Sequence, residues 1–383
     1  MHVCFLCNEY PPGPHGGIGS FTQTLGRGLA AAKHRVTVVG LCAARENQVE
    51  DDAGVCVRRL PHTRFRGLGF WLNGESLRRE IRAIHARTPI HLLEGPENGF
   101  ALLRRNTAEN KVIRMNGGHH FFYSTLGDHP RAWRSWMERR SFARADHLCA
   151  VSRFVAEETR RLLNLGNVPI EILPNPVDTA KFRPMPQVPV IPARIVFVGT
   201  LCEKKGIRQL VHAMREILAA VPNAHLVAYG RDSRDPAAGR SYRERLEAAL
   251  APDARGRIMF KDHVQNAQLP AELAAAEVLV YPSHMEAHPV AWLEGMAMGK
   301  PVVASRTGPG SEIIEDGTCG LLCNPHDPHS IAQSIIRVLK DRELANRLGT
   351  AARNRAVAEF SVDNLVVKNE QFYRRCVEGK AGD

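Results

Sequence analysis

Strand-length apolar runs alternate with helical patterns twice over in this chain of 383 residues, and a stretch crowded with proline separates the two rounds. This alternation constrains the fold most, because strand–helix–strand units lie side by side as parallel strands with right-handed crossovers. The first round holds HVCFLCN, a helix over 18–33, RVTVVGL, GVCVRRL, IHLLE, KVIRM and HLCAVS. The second holds RIVFVGT, a helix over 207–220, AHLVAYG, RIMF, EVLVYPS and PVVAS, and after Asn324 the chain reads as helical to its end. Between them LPNPVDTAKFRPMPQVPVIPAR carries six prolines in 22 residues. Proline removes amide donors and fixes φ, so this stretch is expected to be a linker. The reading is α/β: parallel-sheet domains over 1–175 and 194–361, a linker over 176–193, and a C-terminal helix at about 362–383 packing back on the first domain. Ligands of such sheets bind beyond the carboxyl ends of the strands, so a substrate is expected in a cleft between the domains.

Composition narrows the function classes. Hydrophobic residues at 44% and charged residues at 24% fit a folded chain rather than a disordered or fibrous one. The longest apolar stretches, such as 273–281, carry a charge or stop far short of the roughly 20 residues that span a bilayer. MHVCFLCNEYPP has no basic region ahead of an apolar one, so it reads as a first strand rather than a secretory signal, and a cytoplasmic site of action is expected. Nine cysteines are expected as reduced, structural thiols. Cys4 and Cys7 stand three apart in a strand-like run and point to opposite faces, which does not suit a shared ion. Lys and Arg number 51 against 40 Asp and Glu, a formal charge of +11. In RAWRSWMERRSFARADH the arginines Arg131, Arg134, Arg139, Arg140 and Arg144 alternate with Trp133, Trp136 and Phe142. No nucleic-acid-binding pattern accompanies them, so nucleic acid is not an expected partner. Aromatic and basic residues on one helix, 131–144, suit peripheral contact with an anionic membrane; a half-buried helix with a solvated basic face is the simpler reading.

Three segments carry candidate chemistry. In EYPPGPHGGIGSF, Gly16, Gly17 and Gly19 let the backbone approach a ligand at a helix N-terminus, although such a glycine turn also serves structure alone. In HMEAHPVAWLEGMAMGKPVVAS, Pro289 fits the first position of a helix running to about Met298 and stopping before Gly299. Glu286 then precedes the helix, and Glu294 lies five residues inside, about 7.5 Å along its axis. The amides of Val290 and Ala291 fall between them at the positive end of the helix dipole. A diphosphate on those amides would have a carboxylate toward each end, Glu294 for ribose hydroxyls and Glu286 for a sugar. An ordinary polar helix start has the same appearance in isolation. In VGTLCEKKGI, Lys205 and Gly206 stand at a strand-to-helix turn where a point charge can reach a phosphate, or simply be solvated.

Together these segments resemble the retaining GT-B glycosyltransferases of the glycosyltransferase family 4 type. The likeness covers almost the whole chain: GGIG, PNPVD with Phe182, VGTLCEKKG, YPSHMEAHPVAWLEGMAMGKPVVAS and EIIEDGTCGLL. It implies two Rossmann-like domains facing each other across a cleft, with the donor on the C-terminal side and the acceptor on the N-terminal side. It also implies sugar transfer from a nucleotide diphosphate sugar to an acceptor hydroxyl, retaining and metal-independent, without a cofactor. Gly16 and Gly17 would bring backbone to the donor phosphate, Lys205 would neutralise the leaving diphosphate, Glu294 would bind ribose and Glu286 the donor sugar. Val264 in FKDHVQN would meet the base, and Arg231 and His288 count among the donor contacts. Thr200 stands where the family usually has arginine, with Arg231 or Lys204 as substitutes; Pro289 stands where glycine is common; Asn116 in RMNGGHHFF stands where many members have histidine, and His119 or His120 follows. Asn116 and His119 join Glu286 and Lys205 as catalytic candidates. No carboxylate base stands out in the N-terminal half, and no Asp-x-Asp occurs, which fits metal-free donor binding. The acceptor is a surface or lipid-linked glycan or a small natural product. A sugar-nucleotide 2-epimerase on the same plan and a non-catalytic nucleotide-sugar-binding relative are the alternatives.

Overall fold

The computed structural model describes residues 1–13, 15–43, 45–65, 68–103, 110–127, 131–234, 239–250 and 254–379. The chain divides into two compact units, Met1–Pro176 with Val362–Asp383, and Val177–Ser361. Each is built on its own sheet.

The first unit contains β1 (His2–Leu6), β2 (Arg35–Cys42), β3 (Gln48–Asp52), β4 (Val55–Pro61), β5 (Leu92–Gly95), β6 (Lys111–Met115), β7 (His147–Ala150) and β8 (Ile170–Ile172). They lie in the order β3-β4-β2-β1-β5-β6-β7-β8, and all neighbours are parallel except β3 against β4. Parallel strands covered on both faces read as unbroken apolar runs, and every residue of β1 is buried. Two short strands depart from the sequence expectation. QVEDD of β3 is polar and largely exposed, and IEI of β8 is a three-residue edge, so neither shows an apolar period. Strand order reverses at β1, which has β2 on one side and β5 on the other, so the loops after β1 and β5 diverge at a switch point.

The second unit contains β9 (Arg194–Val198), β10 (His225–Tyr229), β11 (Ile258–Lys261), β12 (Val278–Tyr281), β13 (Val302–Ser305) and β14 (Leu321–Cys323), in the order β11-β10-β9-β12-β13-β14. This is the doubly wound arrangement of a Rossmann sheet, with its switch point between β9 and β12. Side chains alternate across the sheet: Ile195 and Phe197 join one buried cluster and Val196 the cluster on the opposite face. The proline-rich stretch after Pro176 packs against this unit. Phe182 is 4% exposed within its core, and the Arg353 guanidinium donates to the carbonyls of Thr179 and Phe182.

The C-terminal helix Val362–Glu378 belongs to the first unit and lies against the helix Gly17–Ala31; residues 380–383 of the expected helix lie outside the described residues. A Cβ at Gly28 would come within 2.5 Å of Val366, so the absent side chain sets how closely the helices pack. A buried polar knot reinforces the join. Arg114, 1% exposed, donates to both oxygens of Glu94 at 2.7 and 3.2 Å and to the carbonyl of Leu173, and Tyr373 donates to Glu94 at 2.7 Å. All nine cysteines are free thiols. Burial pushes Cys4 up to about 12, so at neutral pH it is an uncharged core side chain.

Glu94→Ala would leave the Arg114 guanidinium buried without its carboxylate, at a cost of about 3–5 kcal/mol. Urea unfolding should show this loss; an unchanged midpoint would mean that the knot is not a stabilising element.

Candidate functional site

The switch point of the second unit brings two loops together at the carboxyl ends of β9 and β12. After β9 the chain passes Gly199 and Thr200, makes a single 3-10 turn over Glu203–Lys205, and enters the helix Ile207–Ala220 through Gly206. Gly206 has φ +68, and a Cβ there would fall 1.8 Å from the carbonyl oxygen of Pro282. Only glycine permits this approach. The His284 amide donates to the Lys204 carbonyl at 2.8 Å, and the Thr307 hydroxyl donates to the His284 carbonyl at 2.8 Å. The loop 282–288 is therefore tied to the lysine turn on one side and to the loop after β13 on the other.

Lys205 and Glu286 form an ion pair in this frame, Nζ to Oε1 at 2.5 Å, with Glu286 8% exposed. Burial alone would raise the Glu286 carboxyl. The charges of Lys205 and Lys204 and hydrogen bonds from Lys205 and Ser283 outweigh it and hold the carboxyl below its ordinary value. Lys204 is pulled down to about 8 by burial, against the raising effect of Glu286. The second cation beside Glu286 is thus Lys204; Arg231 is exposed just after β10. Thr200, just after β9, is half-buried.

The helix Val290–Ala297 follows directly. Pro289 is its cap, with φ −75 and ψ 118, so the helix begins one residue later than the sequence suggests. Proline is already fixed near this φ, and an extended ψ keeps it outside the helical turn. No side chain caps the end, and the amides of Val290 and Ala291 have no helical acceptor. Glu294 lies in the helix, its carboxyl pushed up to about 7 by burial and opposed by the charge of Lys181. His288 packs inward, 5% exposed with its ring 5.5 Å from Phe360, and burial lowers it to about 3, so it is neutral. Val264 lies half-buried against the same core cluster, in the loop after β11. Lys205, Glu286, Val290, Ala291 and Glu294 thus share one end of one sheet.

In the first unit Gly16 caps the helix Gly17–Ala31, and a Cβ on Gly17 would meet nothing within 4 Å. Glu9, which sequence reasoning missed, reaches this helix start: its carboxylate accepts from the Gly19 amide at 2.9 Å. Beyond β5 and β6 lies a second missed feature. Glu97 and Glu138, 5% and 1% exposed, flank Gly118, whose Cβ would lie 1.8 Å from Glu138 Oε1 and 2.9 Å from Glu97 Cγ. The Asn116 amide donates to Glu97 at 2.5 Å, and the His120 amide and ring pair with Glu138. Burial first, then the charge of Glu138, pushes Glu97 up to about 8, so it holds its proton at neutral pH. A signal was present in the sequence: Glu138 is the lone acid in a segment carrying Arg131, Arg134, Arg139, Arg140 and Arg144. His120 is turned inward. His119 is half-buried, accepts the Arg131 amide at Nε2 over 2.8 Å and is lowered by burial. A hollow of about 510 Å³ lined by Leu41, Cys42, Ala43, His62 and Arg64 opens at the carboxyl ends of β2 and β4.

Two Rossmann-like parallel-sheet units, the second presenting an acid–lysine pair and an uncapped helix start at its switch point, are the architecture of the GT-B glycosyltransferases. The chain belongs to the glycosyltransferase family 4 type: the family described as Glycosyl transferases group 1 matches residues 178–355, and Glycosyltransferase Family 4 matches residues 15–181. It is 25% identical to a Mycobacterium tuberculosis glycogen synthase, over 99% of this chain and 96% of the relative. It is 28% identical to a GDP-mannose-dependent alpha-(1-6)-phosphatidylinositol monomannoside mannosyltransferase of the same organism, over 97% and 98%. The fold is shared with sucrose-phosphate synthase from Thermosynechococcus elongatus, at a TM-score of 0.83 and 22% identity over 99% and 100% of the two chains. Anabaena HepE in complex with UDP-glucose aligns with a TM-score of 0.71 and 15% identity over 97% and 99%.

Glu294 ionises near 4.5 when unfolded and near 7 when folded, so the folded state's hold on its proton stabilises fully below 4.5 and is lost as pH rises through 7. Glu294→Gln should therefore raise stability at about pH 8 by roughly 2–3 kcal/mol and change it little at about pH 4. Urea midpoints at the two pH values check this; equal effects at both would refute the buried, proton-holding carboxyl.

Proposed function

We propose that the protein transfers a sugar from a nucleotide diphosphate sugar to an acceptor hydroxyl, with retention at the anomeric carbon and without a metal ion. The reading is carried by the Lys205–Glu286 pair beside the uncapped start of Val290–Ala297. Negative charge grows on the leaving diphosphate as the glycosidic bond breaks. Preorganised donors aimed at that charge lower the barrier without reorganising. Lys205, with Lys204 close by, and the amides of Val290 and Ala291 supply them. The absence of an Asp-x-Asp sequence agrees with cations of the chain serving in place of a metal.

Glu286, kept ionised by its two lysines, accepts from hydroxyls of the donor sugar. Glu294 binds the ribose hydroxyls, and the backbone at Val264 meets the base. Glu97 and Glu138 are positioning residues that fix the turn presenting Asn116 and neutral His119. With Glu97 holding its own proton, the acceptor proton passes to the departing diphosphate as the acceptor oxygen bonds to the anomeric carbon on the face the leaving group vacates. The acceptor is a carbohydrate or lipid-linked glycan, or a small natural product. We place the reaction in the cytoplasm, where nine free thiols persist.

Thermal unfolding with UDP, GDP, ADP, TDP and their sugars, in the absence of metal, tests the donor site. One nucleotide should stabilise by about 2.7 kcal/mol at a hundredfold excess over its Kd, and Glu294→Ala should abolish the shift. Lys205→Ala should cut turnover by about 10²–10³ with the fold intact. Stabilisation by none of them, or normal turnover in Lys205→Ala, would overturn the reading; an epimerised nucleotide sugar among the products would select the epimerase instead.

A further inference from the structure

The chain has four tryptophans, and only Trp292 is in a core, at 1% exposure. Trp71, Trp133 and Trp136 are 58%, 52% and 41% exposed, all in the first unit. The helix Ala132–Phe142 is oriented against ordinary burial preferences: it buries Glu138, Ser141 and Phe142 and turns both tryptophans outward. The inward Glu138 pairs with His120, which fixes the helix in this rotation. Trp133, Trp136, Arg131 and Arg134 thus lie on the solvent side, while Phe142 closes the core side of the helix.

A second helix completes the surface. Phe70, in the first turn of Gly69–Arg87, meets Trp133 edge-on with ring centroids 4.8 Å apart and Trp71 at 5.6 Å, while Trp133 stacks on Trp136 at 5.0 Å. Leu68 and Leu72, 57% and 48% exposed, extend the apolar face along the start of the second helix. A continuous aromatic row therefore crosses two helices, where the sequence showed one helix only. Its margin is basic: Arg131 and Arg134 are exposed, and the Arg140 guanidinium lies over the Trp136 ring at 5.1 Å. The helix Ala132–Phe142 has no outward acid, since its single glutamate is the buried one.

We propose that this face docks the protein on an anionic lipid surface. Tryptophan and phenylalanine rings settle at the boundary between headgroups and acyl chains, and arginines at the same level pair with anionic headgroups. Charge complementarity selects this occupant, because a second copy would bring arginines against arginines and a neutral glycan would leave them unpaired. The proposal concerns attachment and does not rest on the transfer reaction.

The test mixes the full-length protein with vesicles of phosphatidylcholine alone and of phosphatidylcholine with phosphatidylglycerol, following co-sedimentation and tryptophan emission. Binding to the anionic vesicles with a blue shift is expected, weakened by salt as the arginine attraction is screened. The double variant W71S/W133S should bind at least about tenfold more weakly, since it removes much of the buried apolar area. R131E/R134E should lose the preference for phosphatidylglycerol. Both sites are exposed, and nucleotide-induced thermal shifts and circular dichroism verify the fold of each variant. No binding to anionic vesicles, equal binding by W71S/W133S, or a blue shift produced by self-association in ultracentrifugation without lipid would overturn the proposal.

Discussion

A backbone carbonyl and a missing side chain set the geometry on which the second unit's site depends. The Pro282 oxygen sits 1.8 Å from where a Cβ of Gly206 would be, so the turn carrying Lys204 and Lys205 lies directly on the end of β12. Two strands that are neighbours in the sheet but far apart in sequence thereby deliver a lysine and a glutamate to within 2.5 Å. The reversal of strand order explains why this happens here. Loops leaving β9 and β12 diverge to opposite faces, and the gap between them is where no crossover helix covers the sheet end.

The two units treat their loop amides in opposite ways. In the first, carboxylates of the chain occupy them: Glu9 takes the amide of Gly19, Glu97 that of Asn116 and Glu138 that of His120. In the second, the amides of Val290 and Ala291 have no side-chain cap, and the nearby acid, Glu286, is engaged by lysine. An anion arriving at the helix start of Val290–Ala297 meets positive potential from lysines and helix dipole together. One arriving at the Asn116 turn meets two carboxyls already in place. Local electrostatics thus favour an anion at the helix start of the second unit over one at the Asn116 turn of the first.

Periodicity made the strands legible, because parallel strands buried on both faces leave continuous apolar runs such as VCFL and VLVY. What it missed were polar β3, packed antiparallel at the edge, and the three-residue strands β8 and β14, too short to show a run. At the site, the spacing of Glu286 and Glu294 about a helix start was readable because helix geometry is local. Their electrostatic difference was not. Glu286 is held ionised by lysines some eighty positions away, and Glu294 is left nearly alone in a buried setting. Glu9, Glu97 and Glu138 escaped for the same reason, since each acts on an amide ten or more residues distant. The outward turn of Trp133 and Trp136 depends on one buried pairing, Glu138 with His120, which no periodicity encodes.

The charges around Glu286 also bear on how an anion is accommodated. Lys204 and Lys205 flank one ionised carboxylate, and burial holds Lys204 near 8, well below the ordinary lysine value. A lysine in that state is costly to keep charged in the empty site and becomes cheaper to charge when anions approach. A bound diphosphate, under the proposed function, would raise the Lys204 pKa and draw it toward full protonation, so ligand binding and proton uptake are linked at this residue. Thr200, standing where a fixed arginine charge is usual in the family, fits this arrangement. An arginine stays charged whether or not ligand is present, whereas a buried lysine gains its full charge with the ligand. The Lys204 carbonyl, hydrogen-bonded to the His284 amide, holds that lysine's backbone to the loop bearing Glu286.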